Sequence, residues 1–123
     1  MSVRQEKFAG LLQQHLSDLF LKHKDWINNQ FVTISRVDVS PDLGYAKIYL
    51  SMFKVRNREE LLNLINFNGK EIRKHLAAKI KNQARVVPEL NFFIDETLDY
   101  VFKMEEVLKN VREQDEKRNQ QHD

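Results

Sequence analysis

The stretch Gly69-Lys-Glu-Ile-Arg-Lys-His-Leu-Ala-Ala-Lys-Ile-Lys-Asn-Gln-Ala-Arg-Val-Val-Pro-Glu-Leu90 holds a helix and the start of a strand. Ile72, Leu76 and Ile80 recur every four residues, the spacing of an apolar stripe on a helix running from about 70 to 82. Lys70, Arg73, Lys74, Lys79, Lys81 and Arg85 fall off that stripe. Between Gly69 and Arg85 only Glu71 opposes these six cations, a local charge of +5 where the whole chain carries +2. A basic helix on a near-neutral protein is a surface for something anionic, although most charged helix faces are simply solvated. Pro88 cannot continue a helix and is tolerated at a strand start, so Leu90, Phe92 and Ile94 read as an alternating strand.

Working back from the basic helix, Asn66-Phe67-Asn68-Gly69 interrupts the periodicity, and an Asn-Gly pair at this point breaks or kinks a helix. The helix before it starts at Asn57-Arg58-Glu59-Glu60, with Asn57 as N-cap and Glu60 at the capping-box position. Leu61, Leu64 and Ile65 give it an apolar face. Upstream lies a hairpin. Ala46, Ile48, Leu50 and Met52 line one face of a strand over 45–53, and Tyr45, Lys47, Tyr49 and Ser51 line the other. The strand over 31–40 changes phase inside itself: Val32 and Ile34 share one parity, Val37 and Val39 the other. A β-bulge near Ser35-Arg36 restores one apolar face. Ser40-Pro41-Asp42-Leu43-Gly44 supplies the turn, with Pro presetting φ and Gly accepting positive φ.

The N-terminal residues 4–23 read as an amphipathic helix through Phe8, Leu11, Leu12, Leu16, Leu19 and Phe20, with His15 and Gln13 off the stripe. Residues 25–30 read as a connection. Past the third strand, Asp95 or Thr97 caps a last helix carrying Leu98, Val101, Met104, Leu108 and Val111. The apolar residues stop after Arg112, so residues 1–111 form one domain and 112–123 a polar, disordered tail. The order is helix, strand, strand, helix, kink, helix, strand, helix. Three strands cannot close a barrel; they make a small sheet with helices on one face, an α+β domain.

Composition narrows the chemistry. With no cysteine among 123 residues, disulfides and thiolate zinc sites are excluded, in keeping with a cytoplasmic protein. No apolar run approaches a membrane span, and the N-terminus lacks the apolar core of a signal peptide. His15, His23, His75 and His122 have no metal-ligand spacing. His75 reads as a surface helix residue, and Asp95, Glu96 and Asp99 as a negative first helical turn. No Gly-x-Ser-x-Gly elbow and no Gly-rich phosphate loop is present. These features point away from an enzyme and from any metal, cofactor or small-molecule substrate. Tyr45-Lys47-Tyr49 interleaves aromatics with a base, a pattern that stacks unpaired bases in some sheets but also one that strands favour anyway. Two readings remain from the residues: an RNA-binding protein, or an adaptor whose basic helix docks on an acidic protein.

Four motifs in order resemble the bacterial ribosome-binding factor A family over about residues 4–108. They are Arg4-x-x-Lys7; the hairpin Val39-Ser-Pro-Asp-Leu-Gly-Tyr-Ala-Lys-Ile-Tyr49; Arg85-Val-Val-Pro-Glu-Leu90 with Phe92; and Asp95-x-Thr97-Leu98, where the family usually has serine at the third position. The resemblance implies a type II KH-like domain in which a kink, usually containing Ala-x-Gly, replaces the Gly-x-x-Gly loop that clamps nucleic-acid backbone. The corresponding point here is Asn68-Gly69-Lys70, with the glycine shifted by one position and the segment from Ile72-Arg73 to Arg85 about two residues longer. It further implies a monomeric cytoplasmic assembly factor without catalytic activity. Such a factor binds the free small ribosomal subunit and its ribosomal RNA, immature precursors included, and assists late maturation and processing, notably in the cold. The RNA-contacting residues are then expected among Asn68, Gly69, Lys70, Arg73, Lys74, Lys79, Lys81 and Arg85, with Arg4 and Lys7 secondary. The six cations of residues 70–85 cannot all share one side, so a subset of three or four touches RNA.

Overall fold

Ser2 starts the first helix with a reciprocal capping box. Its hydroxyl accepts the Gln5 backbone N–H at 3.2 Å, and the Gln5 side-chain carbonyl accepts the Ser2 N–H at 2.9 Å. Helix α1 (Val3–Lys22) then buries Phe8, Ala9, Leu12, Leu16, Leu19 and Phe20. Two glutamine amides strap it to the sheet: Gln5 Nε2 donates to the Val39 carbonyl at 2.8 Å and Gln13 Nε2 to the Ile34 carbonyl at 2.9 Å. This computed structural model describes residues 1–97 and 104–111. The expected connection after α1 is in part a 3-10 helix, Lys24–Ile27, that buries Trp26 and Ile27.

Strands β1 (Val32–Val39) and β2 (Tyr45–Met52) pair antiparallel, and the register slips between Ile34 and Arg36. Ile34 faces Leu50 and Arg36 faces Tyr49, which leaves Ser35 as the extra residue of the predicted bulge. The phase change is thereby absorbed: Ile34, Val37 and Val39 are all buried. The turn differs from expectation at one residue. The positive φ falls on Leu43 (61°), and no glycine has a positive φ. Leu43 is buried, so its packing holds a backbone conformation that its β-carbon disfavours. Gly44 instead donates its N–H to Asp42 Oδ1 at 3.1 Å, and the Ser40 hydroxyl donates to the same oxygen at 2.6 Å. Those bonds, the serine's first, hold the Asp42 carboxyl below the usual carboxylate range.

Asn57 caps α2 (Arg58–Phe67) by accepting the Glu60 N–H at 3.0 Å. Helix α3 (Gly69–Ile80) follows after one residue and seats Ile72, Leu76 and Ile80 in the core. The chain then turns into β3 (Glu89–Ile94), which pairs parallel with β2 from Tyr45↔Glu89 to Leu50↔Ile94. The sheet order is β1-β2-β3. Central β2 buries Ala46, Ile48, Leu50 and Met52 against the helices, the one-sided α+β architecture that the alternation predicts.

Residues 104–111 are helical, as the spacing predicts, but Met104, Val107, Leu108 and Val111 stand about half exposed. Leu98, Val101 and the tail 112–123 lie outside the described residues. Among the described residues, no helix is long and apolar enough to cross a membrane.

Candidate nucleic-acid interface

The break between α2 and α3 is confined to Asn68, at φ −85° and ψ 7°. Its backbone N–H and side-chain Nδ2 both donate to the Leu64 carbonyl, at 3.1 and 3.0 Å, which finishes α2. Its own carbonyl accepts the Ile72 N–H at 2.9 Å, which begins α3. The asparagine thus does the work expected of the glycine. Gly69 is already helical, and a β-carbon added there would meet nothing within 4 Å. No side chain caps the N-terminus of α3, which leaves its first amides, beside Lys70, without a side-chain partner.

Seating Ile72, Leu76 and Ile80 inward fixes where the cations of α3 point. At about 100° per residue, Lys70, Lys74 and Lys81 fall within roughly 40° of one another, on the side away from the buried arc. All three are exposed, and none is paired with a carboxylate among the described residues. Ala77 and Ala78 separate Lys74 from Lys81, so the stripe is low and open. Lys79 is half-buried at the edge of the apolar arc, away from the stripe. Glu71 leans away as well, its carboxylate 3.8 Å from His75 Nε2.

Arg73 has a different position from the one its charge implies. Its Nε donates to the Pro88 carbonyl at 3.1 Å and its Nη2 to the Val87 carbonyl at 2.9 Å. The guanidinium fork ties α3 to the segment that leads into β3, a bond over fifteen residues that nothing local in the sequence announces. Arg85 joins a second group. With Arg4 and Lys7 of α1 it rims a groove of about 390 Å³ whose floor includes Phe8, Leu11, Leu43 and Val86. The three cations, distant in sequence, therefore share one depression just beyond the Lys81 end of α3.

His75 is half-buried rather than a plain surface residue. Its ring lies 4.6 Å from that of His23 and 5.4 Å from that of Trp26, while His23 stacks on Trp26 at 4.1 Å. Among the described residues, no three His, Asp or Glu side chains are placed to hold a metal. The outer sheet face is also occupied by its own contacts. Arg36 sits 4.2 Å over the Tyr49 ring, and Tyr49 stacks on Phe93 at 5.6 Å. Arg36 also meets Asp38 at 3.3 Å. The Tyr49 contact first and Asp38 second raise its pKa, so it is a cation already satisfied. With Asp38, Glu89 and Asp95 beside Arg36 and Lys47, that face lacks the net positive charge that the α3 stripe offers a polyanion.

The family model for ribosome-binding factor A matches residues 4–108. The chain belongs to the ribosome-binding factor A family. The ribosome-binding factor A of Cytophaga hutchinsonii is 39% identical over 111 residues, covering 89% of this chain and 84% of that one. The crystal structure of ribosome-binding factor A from Thermus thermophilus superposes with a TM-score of 0.63 at 20% identity, over 73% of this chain and 94% of that one. A Thermus thermophilus ribosome-binding factor A homology model fitted into a cryo-EM map of a 30S complex gives a TM-score of 0.57 at 22% identity, over 69% and 88%. These likenesses carry the fold. The three-stranded sheet with its kinked α2–α3 pair is the type II KH-like arrangement of the ribosome-binding factor A family, with the single residue Asn68 as the kink.

Proposed function

We propose that this chain is a ribosome assembly factor that binds the free small ribosomal subunit through phosphates of its ribosomal RNA. One observation carries the reading: Lys70, Lys74 and Lys81 form an unpaired stripe on the face of α3 opposite the core. From Lys70 to Lys81 the stripe spans about 17 Å at roughly 1.5 Å per residue, room for several consecutive phosphates. Arg85, Arg4 and Lys7 extend it past the end of α3. The uncapped first turn of α3 adds a favourable end for an anion beside Lys70. Family membership and the 30S complex of the Thermus thermophilus protein support the choice of partner.

Phosphate contacts position a protein without reading sequence. Selectivity then comes from the shape of the folded RNA. A factor that binds one conformation of the immature subunit favours it by its differential affinity. That is sufficient for a role in late maturation and processing, in the cytoplasm, as a monomer and without catalysis; a cold-sensitive folding step of the RNA is where it matters most. The binding surface lies within residues 1–111, and Arg73 and Lys79 contribute to it less than the stripe.

The test is co-sedimentation of the purified protein with free small subunits. Binding is expected at low salt and lost as salt rises. The variant carrying Lys70→Glu, Lys74→Glu and Lys81→Glu should not co-sediment. Undiminished binding by that variant, or binding that survives digestion of the RNA, would sink this reading and favour an adaptor for an acidic protein.

A further inference from the structure

Phe67 is 85% exposed, more than any other large hydrophobic side chain among the described residues. The fold gives no reason for it. Leu61 and Ile65 are the residues that α2 buries, and Phe67 lies outside that arc at the last position of the helix. Phenylalanine is only a middling helix former, so propensity does not call for it there. Phe93 stacks on Tyr49, Lys54 lies 5.4 Å over Phe53, and Phe31 lines a groove. Phe67 makes no ring or cation contact among the described residues and lines none of the three grooves described. It is a ring open to solvent.

Its neighbours are what the position offers. The helix is interrupted at Asn68 alone: its N–H closes α2 on the Leu64 carbonyl, and its own carbonyl opens α3 at the Ile72 N–H. Lys70 follows Phe67 by three residues across that single-residue break, and Lys74 lies one turn further along the same side of α3. Glu71, four residues on, is turned toward His75. Asn63 and Asn66 are exposed on the preceding turn, with amides free of any hydrogen bond among the described residues.

An aromatic face beside a row of ammonium groups matches the two halves of a nucleotide, base and phosphate. Paired bases hide their faces in the stack; an unpaired or splayed base offers one. We propose that Phe67 stacks on an unpaired nucleobase of the RNA whose phosphates the Lys70–Lys74–Lys81 stripe holds. This rests on the RNA-binding reading above. It adds a preference for an unpaired position at the Phe67 end, which phosphate contacts alone cannot give.

The experiment uses the full chain and two RNA hairpins, one with a single bulged 2-aminopurine and one fully paired. The unaltered protein should quench the bulged 2-aminopurine. Phe67→Ala should abolish the quenching and weaken binding to the bulged hairpin about tenfold, with the paired hairpin unaffected. Phe67→Tyr should restore both, and the thermal midpoint of Phe67→Ala should not fall, because the ring packs on nothing. Retained quenching, or equal loss on both hairpins, would overturn the stacking role. Loss of binding to RNA-free small-subunit proteins, with hairpin binding intact, would assign Phe67 to a protein contact and overturn it too. The triple lysine variant separates the two claims. If it binds both hairpins normally, the RNA reading itself fails; if it binds neither while Phe67→Ala is normal, only the stacking proposal fails.

Discussion

The Ser35 hydroxyl donates to the Asp95 carboxylate across 2.6 Å. Ser35 is the residue that the β1–β2 register leaves over, and Asp95 is the first residue past β3, so the bond spans the sheet from edge to edge. Asp95 also accepts the Thr97 N–H at 3.0 Å, as a residue starting the last helix should. The bulge therefore supplies a staple as well as restoring the apolar phase. These bonds, with Ser35 the largest contributor and Thr97 next, lower the Asp95 pKa to about 2.

A folded-state pKa below the unfolded value means stability that is present above about pH 4 and lost as pH falls toward 2. Asp95 is only half-buried, so screening holds the contribution to about 1 kcal/mol or less. Ser35→Ala should therefore lower stability at pH 7 by about that amount. The gap to the unaltered protein should close as urea titrations are taken down to pH 2. A gap independent of pH would show that the carboxylate is not what the serine stabilises.

Arg73 offers a sharper separation of structure from binding. Its fork holds the Val87 and Pro88 carbonyls at 2.9 and 3.1 Å, and Pro88 is fully buried. Arg73→Ala should cost about 1–2 kcal/mol in denaturant unfolding, since it leaves carbonyls short of their donors. Arg73→Lys should recover less than half, because one ammonium cannot reproduce the fork. The salt dependence of RNA binding should hardly change. A slope that falls by a full phosphate contact, with unfolding unaltered, would return Arg73 to the RNA surface.

These two residues also mark how far the sequence carries the structure. The bulge was legible because Val32, Ile34, Val37 and Val39 change parity within eight residues, a local pattern with one repair. The buried face of α3 was legible for the same reason, and with it the exposure of Lys70, Lys74 and Lys81. What escaped depends on contacts distant in the chain. Arg73 meets Pro88, and Arg4 meets the rim that holds Arg85, through packing that no spacing encodes. The 3-10 helix Lys24–Ile27 is too short to show a period. The positive φ at Leu43 has no local signal, because Gly44 next door is the residue type that ordinarily hosts it.

Gly69 gives a prediction of opposite sign. It is helical, free of positive φ, and open around its α-carbon. Gly69→Ala should stabilise the protein by roughly 0.5–1 kcal/mol, read as a rise of a few degrees in the thermal midpoint. Asn68→Ala, by contrast, removes the side-chain donor to Leu64 and should destabilise. If alanine at 69 lowers the midpoint instead, the glycine and not Asn68 sets the angle between α2 and α3.

The groove rimmed by Arg4, Lys7 and Arg85 carries the last prediction. Arg4 lies in the first turn of α1, where the helix end already bears partial positive charge. A cation there costs roughly 0.3–1 kcal/mol at low salt, and nothing in the α1 capping box requires one. Charge kept where it opposes folding points to use outside the fold. Arg4→Gln should therefore hold or raise the thermal midpoint at low salt. Combined with Lys7→Gln, it should reduce the slope of log affinity against log salt for RNA by about 0.7–0.9 for each phosphate no longer neutralised. Weaker binding with an unchanged slope would mean that the two residues act through shape rather than phosphate. An unchanged affinity would confine the RNA surface to the α3 stripe.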